Sequence, residues 1–219
     1  MLPSLALVDP QLSYDLPREI TASTGLDALT QLIEPYVSIK ANPIADAIAR
    51  EGIQRAGRAL PTLAHDLDDH AARDEMSLAS LLGGMAMANA ALGGVHGFAG
   101  PVGGMFPVPH GVVCARLLPI VMGANLAALE RREPHSPLLA RYQQIAGWLT
   151  GEAKAGAADG IHWVEAQVQA LEIPSLGVYG LKPEHIPELV EKSAKASSMK
   201  GNPIQLTGDE MKGILEQAL

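Results

Sequence analysis

Residues 68–94, DDHAARDEMSLASLLGGMAMANAALGG, decide the fold. The stretch is rich in Ala, Leu and Met, which favour helix over strand. It predicts one long helix, and Gly83, Gly84 and Asn89 break its apolar character too often for a membrane span. It therefore reads as a buried helix of a globular protein. The composition of the whole chain points the same way. Hydrophobic residues make up 47% and aromatics only 4%, so the core must be assembled from Leu, Ile, Val, Ala and Met.

Working outward, most of the chain carries helix signals. Pro17 suits a first turn, and Ile20, Leu26, Leu29 and Ile33 follow at helical spacing. Asn42-Pro43 supplies a cap and a first-turn proline for a helix through roughly Arg58. Val112 to Ala128 reads as a helix, with Pro119 as a kink. Four more helices are expected at about 137–149, 159–171, 183–196 and 209–218. The Met76, Met85 and Met87 group reads as core filler. Two stretches differ. Residues 93–111, rich in Gly and Pro, read as loop and turn. The opening LPSLALVDPQL reads as a short buried strand over residues 3–9, ended by Asp9-Pro10, with no evident partner strand. The expected fold is an all-α, bundle-like domain over 1–219 with a short extended segment at its N-terminus.

Charge and cysteine usage narrow the function. Sixteen basic residues face 24 acidic ones, for a net charge of −8, and no Lys/Arg run forms a patch. A nucleic-acid or anionic-membrane partner is therefore not expected. The single cysteine, Cys114, cannot form an internal disulfide, and the opening Leu5–Val8 is too short for a signal or span. A cytoplasmic protein is expected. Cys114 itself reads as a buried, inert thiol.

Asp27 and Gln31 stand four apart on the first helix, one turn above the other on one face. His96 and His110 flank the Gly/Pro-rich stretch. A carboxylate with two imidazoles suits Zn²⁺ or Fe²⁺ and leaves one position open. The same residues also fit a plainer reading, with Asp27 solvated and both histidines bonded to backbone. His65 and His70 lie in an acidic turn with Asp66, Asp68 and Asp69, and His135, His162 and His185 read as surface positions. There is neither a G-x-G-x-x-G after a strand nor a Walker loop.

Read in order, several blocks carry a resemblance. LALVDPQLSYDLPREITASTGLDALTQLIEPYVS, ANPIADAIAREGI, AARDEMSLASLLGGMAMANAALGGVHG and FPVPHGVVCARLLPIVMGANL, with the ending GNPIQLTGDEMKGILEQAL, resemble the helical C-terminal half of iron-containing (group III) alcohol dehydrogenases. These enzymes belong to the dehydroquinate synthase-like superfamily. The resemblance covers essentially the whole chain. It implies a metal-dependent alcohol dehydrogenase or aldehyde reductase. A Rossmann-like N-terminal domain, lying outside these residues, would bind NAD(P), and a divalent metal would sit in the cleft between the two halves. It implies small alcohol or aldehyde substrates. The opening strand would then be the chain's return from the nucleotide domain.

Carried over position by position, Asp27, His96 and His110 fall on metal-ligand positions. Gln31 falls where the iron enzymes have a histidine, and Gly100 where many members have another, near the substrate. An amide oxygen is a poorer ligand for Fe²⁺ than imidazole, and the remaining Asp-His-His set resembles that of zinc-dependent glycerol dehydrogenases. Glu34, Asn89 and Arg73 also match family positions and read as structural, with Arg73 paired to a carboxylate and Asn89 packing a helix contact. Two other readings stand beside the enzyme: a non-catalytic helical domain that keeps the fold, and a metal-independent enzyme like the maleylacetate reductases. An apolar face without its cover would drive self-association, so a homo-oligomer is expected.

Overall fold

The computed structural model describes residues 4–219. Nine α-helices and no strand occur among them: α1 (Arg18–Val37), α2 (Pro43–His65), α3 (His70–Asn89), α4 (Gly94–Met105), α5 (His110–Arg132), α6 (Leu138–Thr150), α7 (Ala157–Ala170), α8 (Ile186–Ala194) and α9 (Gly208–Ala218). The expected all-α fold is the observed one.

Helix α1 is the axis of the bundle, with α2, α3 and α5 packed around it. Leu26, Leu29, Leu32 and Ile33 are fully buried. Between Thr21 and Val37 only Thr24, Asp27 and Gln31 escape full burial. With exposed Ile20 they form one stripe at helical spacing. The central helix is thus covered everywhere except along the face that carries the candidate ligands.

Capping explains several boundaries. Asn42 accepts from the Ala45 N–H and Asp69 from the Ala72 N–H, each satisfying an orphan donor of a first turn. Thr207 and Glu210 close a reciprocal capping box on α9. Helix α2 runs past Arg58 to His65 despite Pro61, because Leu60, Leu63 and Ala64 are buried on its inner face. Helix α5 is long and apolar enough to cross a membrane, yet most of it is buried inside the bundle.

Four sequence expectations are corrected. The described part of the 3–9 segment forms no strand, and residue 3 lies outside the described residues. Leu5 and Leu7 are exposed, because a strand needs a neighbour for its backbone groups and no described segment offers one. A 3₁₀ turn at Pro10–Ser13, capped by Asp9, follows instead. Residues 94–105 are helix rather than loop. Glycines and Pro101 make α4 a poor helix by propensity, but Val95, Phe98, Ala99 and Val102 recur at helical spacing and are all buried. Packing outweighs propensity here. Helix α3 buries only one face: Met76 is core, whereas Met85 and Met87 are exposed. Arg73 has no carboxylate partner. Its buried guanidinium donates to the carbonyls of Leu67, Ser13 and Leu16 and to Thr21 Oγ1, tying the chain entering α1 to α3. Asn89 is exposed: its side chain bonds back to the Met85 carbonyl of its own helix, and the link to the start of α2 runs through its backbone carbonyl, which accepts from the Asn42 side chain.

The spacing of α1 and α5 depends on Gly111. A Cβ built there would stand 2.8 Å from the Ser23 carbonyl oxygen, a backbone atom that cannot swing away. Ser23 lies one turn before Asp27, so this contact sets how near α5 comes to the ligand stripe. Gly111→Ala is expected to push the helices apart and destabilise the chain by about 1–3 kcal/mol. Denaturant unfolding measures this, and an unchanged midpoint would show that the close approach is not required.

Candidate metal centre

Four side chains from three helices meet at the open stripe of α1: Asp27 from α1, His96 from the first turn of α4, and His110 and Cys114 from the first turns of α5. One donor atom from each lies within 4.8 Å of the other three. Asp27 Oδ1 stands 3.4 Å from His96 Nε2, and Asp27 Oδ2 stands 3.8 Å from His110 Nε2. Cys114 Sγ is 3.4 Å from His110 Nε2 and 3.8 Å from His96 Nε2. Cys114 is fully buried, the His96 and Asp27 side chains are 8% and 14% exposed, and that of His110 is 54% exposed. The cluster thus has a closed floor and opens to solvent at His110.

His96 is held by Glu34. The buried Glu34 carboxylate accepts from the Val95 N–H at 2.6 Å through Oε1, and its Oε2 lies 2.7 Å from His96 Nδ1. Asn202 Oδ1 accepts from the Gly94 N–H at 2.9 Å. Two orphan donors of a glycine-rich helix start are therefore satisfied by buried side chains. The Glu34 contact also keeps the proton on Nδ1 and leaves Nε2 facing Asp27 and Cys114, the usual orientation of a metal-binding histidine with a carboxylate behind it. Glu34 is structural, as expected, and its role is to position His96.

The electrostatics are those of a site built for positive charge. Burial pushes the Asp27 carboxyl up, but the hydrogen-bonding and charge of His96, with His110 behind, outweigh it and hold the group below its ordinary value. Burial also opposes charge on His96, yet Asp27, Cys114 and Glu34 prevail and raise it from 6.5 to about 12. Burial drives the Cys114 thiol up to about 12. Asp27 Oδ1 is buried with no well-aligned hydrogen-bond donor. A buried carboxylate oxygen in that position calls for a partner, and a cation in the midst of the four donors would supply it. Carboxylate, imidazole and thiolate are all ordinary ligands of divalent transition metals.

The sequence-predicted residues Asp27, His96 and His110 are thus brought together. Gln31 lies one turn along the same stripe, with its amide oxygen against α3, 3.7 Å from where a Cβ on Gly83 would stand. Gly100 faces open space, since a Cβ there would meet nothing within 4 Å. The residue that sequence reasoning missed is Cys114. His110-x-x-x-Cys114 is a helical i, i+4 pair, but the pairing appears only when α5 starts at His110 instead of Val112. His65 and His135 are exposed, and His70 stacks on Tyr14.

An all-helical domain with a carboxylate–imidazole cluster on one open face presents a candidate metal centre. Comparison with known proteins gives the family. The profile of the Fe-containing alcohol dehydrogenase family, C-terminal part, matches residues 21–219, and the chain belongs to this family. It is 39% identical over 220 residues to alcohol dehydrogenase 4 of Schizosaccharomyces pombe, a match that covers all of this chain and 50% of the relative. A crystal structure of 1,3-propanediol oxidoreductase superposes with a TM-score of 0.90 at 34% identity, over 100% of this chain and 56% of that one. Sulfoacetaldehyde reductase from Bifidobacterium kashiwanohense, solved in complex with NAD⁺, superposes with a TM-score of 0.81 at 27% identity, over 98% and 54% of the two chains. The chain spans about half the length of the relatives it matches.

The His96 clamp has a pH signature. Its folded pKa lies above the unfolded value of 6.5, so the imidazolium stabilises the metal-free fold fully below pH 6.5 and loses that contribution as pH rises toward about 12. Glu34→Gln removes one of the charges behind this shift. In chelator-treated protein, the stability gap between parent and Glu34→Gln is expected to be widest near pH 6.5 and to close toward about 12. Unfolding across that range checks it, and a gap independent of pH would show that Glu34 acts by packing alone.

Proposed function

We propose that this chain is the metal- and substrate-binding half of a divalent-metal-dependent, NAD(P)-linked alcohol dehydrogenase, with Asp27, His96 and His110 as ligands and Gln31 at the edge of the site. The observation that carries the proposal is the convergence of these donors around the buried Asp27 Oδ1, which has no well-aligned hydrogen-bond donor. A divalent ion held there supplies Lewis-acid polarisation of an alcohol or aldehyde oxygen. The chain's own residues do the rest of the arranging. Glu34 keeps His96 Nε2 directed inward, and the exposed side of His110 leaves an approach for a small substrate. Zn²⁺ is favoured over Fe²⁺, because an amide at position 31 replaces a stronger nitrogen donor.

Hydride transfer requires a nicotinamide, and the sequence carries neither the G-x-G-x-x-G turn nor the Walker loop that would hold a nucleotide. The open stripe of Ile20, Thr24, Asp27 and Gln31 is the surface on which a nucleotide-binding domain would sit, placing the nicotinamide opposite the ligands. The NAD⁺ in the sulfoacetaldehyde reductase structure supports a nicotinamide cofactor for the whole enzyme. The buried Asp27 carboxylate also favours a cation over the metal-independent reading, since its Oδ1 stands 3.4 Å from His96 Nε2 without a well-aligned hydrogen bond, and a divalent ion would bind it more closely. Alcohol oxidation with NAD⁺, absent for this chain alone and restored by adding the nucleotide-binding domain, would separate an enzyme half from a non-catalytic domain.

Two measurements test the reading. Zinc titration by calorimetry is expected to show binding to the parent, to His65→Ala and to His135→Ala, and none to His110→Ala. Equal affinity in His110→Ala and the parent would make the cluster purely structural. Light scattering of the purified chain is expected to show a dimer or larger species, because Leu5, Leu7, Leu12, Ile20, Ile39 and Ile44 stand exposed. A monomer at high concentration would remove self-association from the proposal.

A further inference from the structure

We infer that Cys114, rather than Gln31, completes the coordination sphere, so that the chain holds zinc between one carboxylate oxygen, two imidazole nitrogens and one thiolate sulfur. The inference rests on the metal reading above and deepens it. Its first support is spacing. Zn–N and Zn–O bonds of about 2.0–2.1 Å and a Zn–S bond of about 2.3 Å make a tetrahedron with edges of about 3.4 Å between N or O donors and about 3.6 Å between N and S. Asp27 Oδ1 and His96 Nε2 are 3.4 Å apart, and Cys114 Sγ lies 3.4 Å and 3.8 Å from the two imidazole nitrogens. Three of the six donor–donor separations are thus close to tetrahedral edges, and all four donors lie within 4.8 Å of one another.

The second support is rigidity. Cys114 follows His110 by one turn of α5, so both side chains point from one helix face into the cluster. Its side chain is fully buried. Gln31 is placed differently, with its amide oxygen against Gly83 on α3. The third support is charge. Asp27 is the only anion among the three direct donors, with Glu34 standing behind His96, and an amide adds no charge to the donor set. A thiolate brings the set to neutrality, which a poorly solvated site favours. When the metal–sulfur bond forms, the thiol proton leaves to solvent. Sulfur also selects for zinc and cobalt over magnesium or calcium. Four protein donors fill a tetrahedral sphere, so an alcohol or aldehyde oxygen would enter from the open His110 side as a fifth ligand, a coordination number that catalytic zinc reaches in some transition states.

The chain has one cysteine, so any sulfur-to-metal signal must come from Cys114. Cobalt(II) added to the full chain under a non-thiol reductant is the test. The expected parent spectrum combines tetrahedral visible bands with a strong thiolate-to-cobalt charge-transfer band in the near ultraviolet. Cys114→Ser is expected to lose the charge-transfer band and to bind zinc at least about tenfold more weakly, given that even outer partners of a metal are worth about 10–100-fold. Gln31→Ala is expected to keep the band. Visible bands without charge transfer in the parent would overturn the inference and leave the three-ligand site standing. Absence of any cobalt band would overturn both. Should Cys114→Ser fail to fold, the parent spectrum still decides, together with zinc protection of the single thiol from alkylation. Alkylation at an unchanged rate would count as failure.

Discussion

The buried carboxylate of Glu34 is the contact on which the site depends. It lies on α1, 5% exposed, and satisfies both the Val95 N–H and the His96 ring nitrogen. A buried carboxylate is expensive unless bonded and balanced, and here its partners lie in the helix start that most needs acceptors. Helix α4 has little intrinsic tendency to form. Without Glu34 and Asn202 its first N–H groups would be buried and unmet. The same bond that permits α4 to begin there also aims His96. Local structure and site geometry are thus one event.

The second constraint is the near-complete burial of α1. A helix wrapped on almost all sides must show its polar residues along whatever stripe stays open, and here that stripe holds Thr24, Asp27 and Gln31. Asp27 is therefore carried by a largely buried helix, whose approach to α5 is set by the packing of Gly111 against Ser23. Two of the other donors come from a single turn of α5 and the third from a helix start clamped by α1. Donors fixed in this way lose little conformational freedom on binding, which is the physical content of preorganisation.

Much of the fold was legible because it follows local rules. Asn42, Asp69 and Thr207 announce helix starts through side-chain caps, and Leu26, Leu29 and Ile33 mark a buried face. Helix α4 was not legible, because Gly97, Gly100, Pro101, Gly103 and Gly104 all signal a loop, and only the tertiary burial of Val95, Phe98, Ala99 and Val102 overrides them. Leu5–Val8 misled in the opposite sense: an apolar run encodes a wish for burial but not the presence of a partner to supply it. At the site, Asp27, His96 and His110 could be proposed from resemblance. Cys114 stayed hidden because a two-residue error in the start of α5 removed it from the register of His110. Arg73 was assigned a carboxylate by habit of charge, whereas its buried guanidinium serves as a fork for carbonyls.

These features imply that a proton and a metal would compete for one place. Two carboxylates, Asp27 and Glu34, converge on His96, and in the absence of another cation the imidazolium proton neutralises part of that charge. The proton that Glu34 holds on Nδ1 stays in either state. The one that must leave is on Nε2, the nitrogen facing Asp27 and Cys114. Because the folded site binds this proton strongly, metal uptake costs more at low pH and less as pH rises. The cost is offset only if the incoming ion meets more negative charge than the proton did. Asp27 alone is neutralised by either. Cys114 would add a second negative charge for the metal, but only by releasing its own proton, which burial holds up to about 12. If Cys114 is a ligand, metal uptake would displace two protons, one from His96 Nε2 and one from the Cys114 sulfur, and would strengthen with pH accordingly.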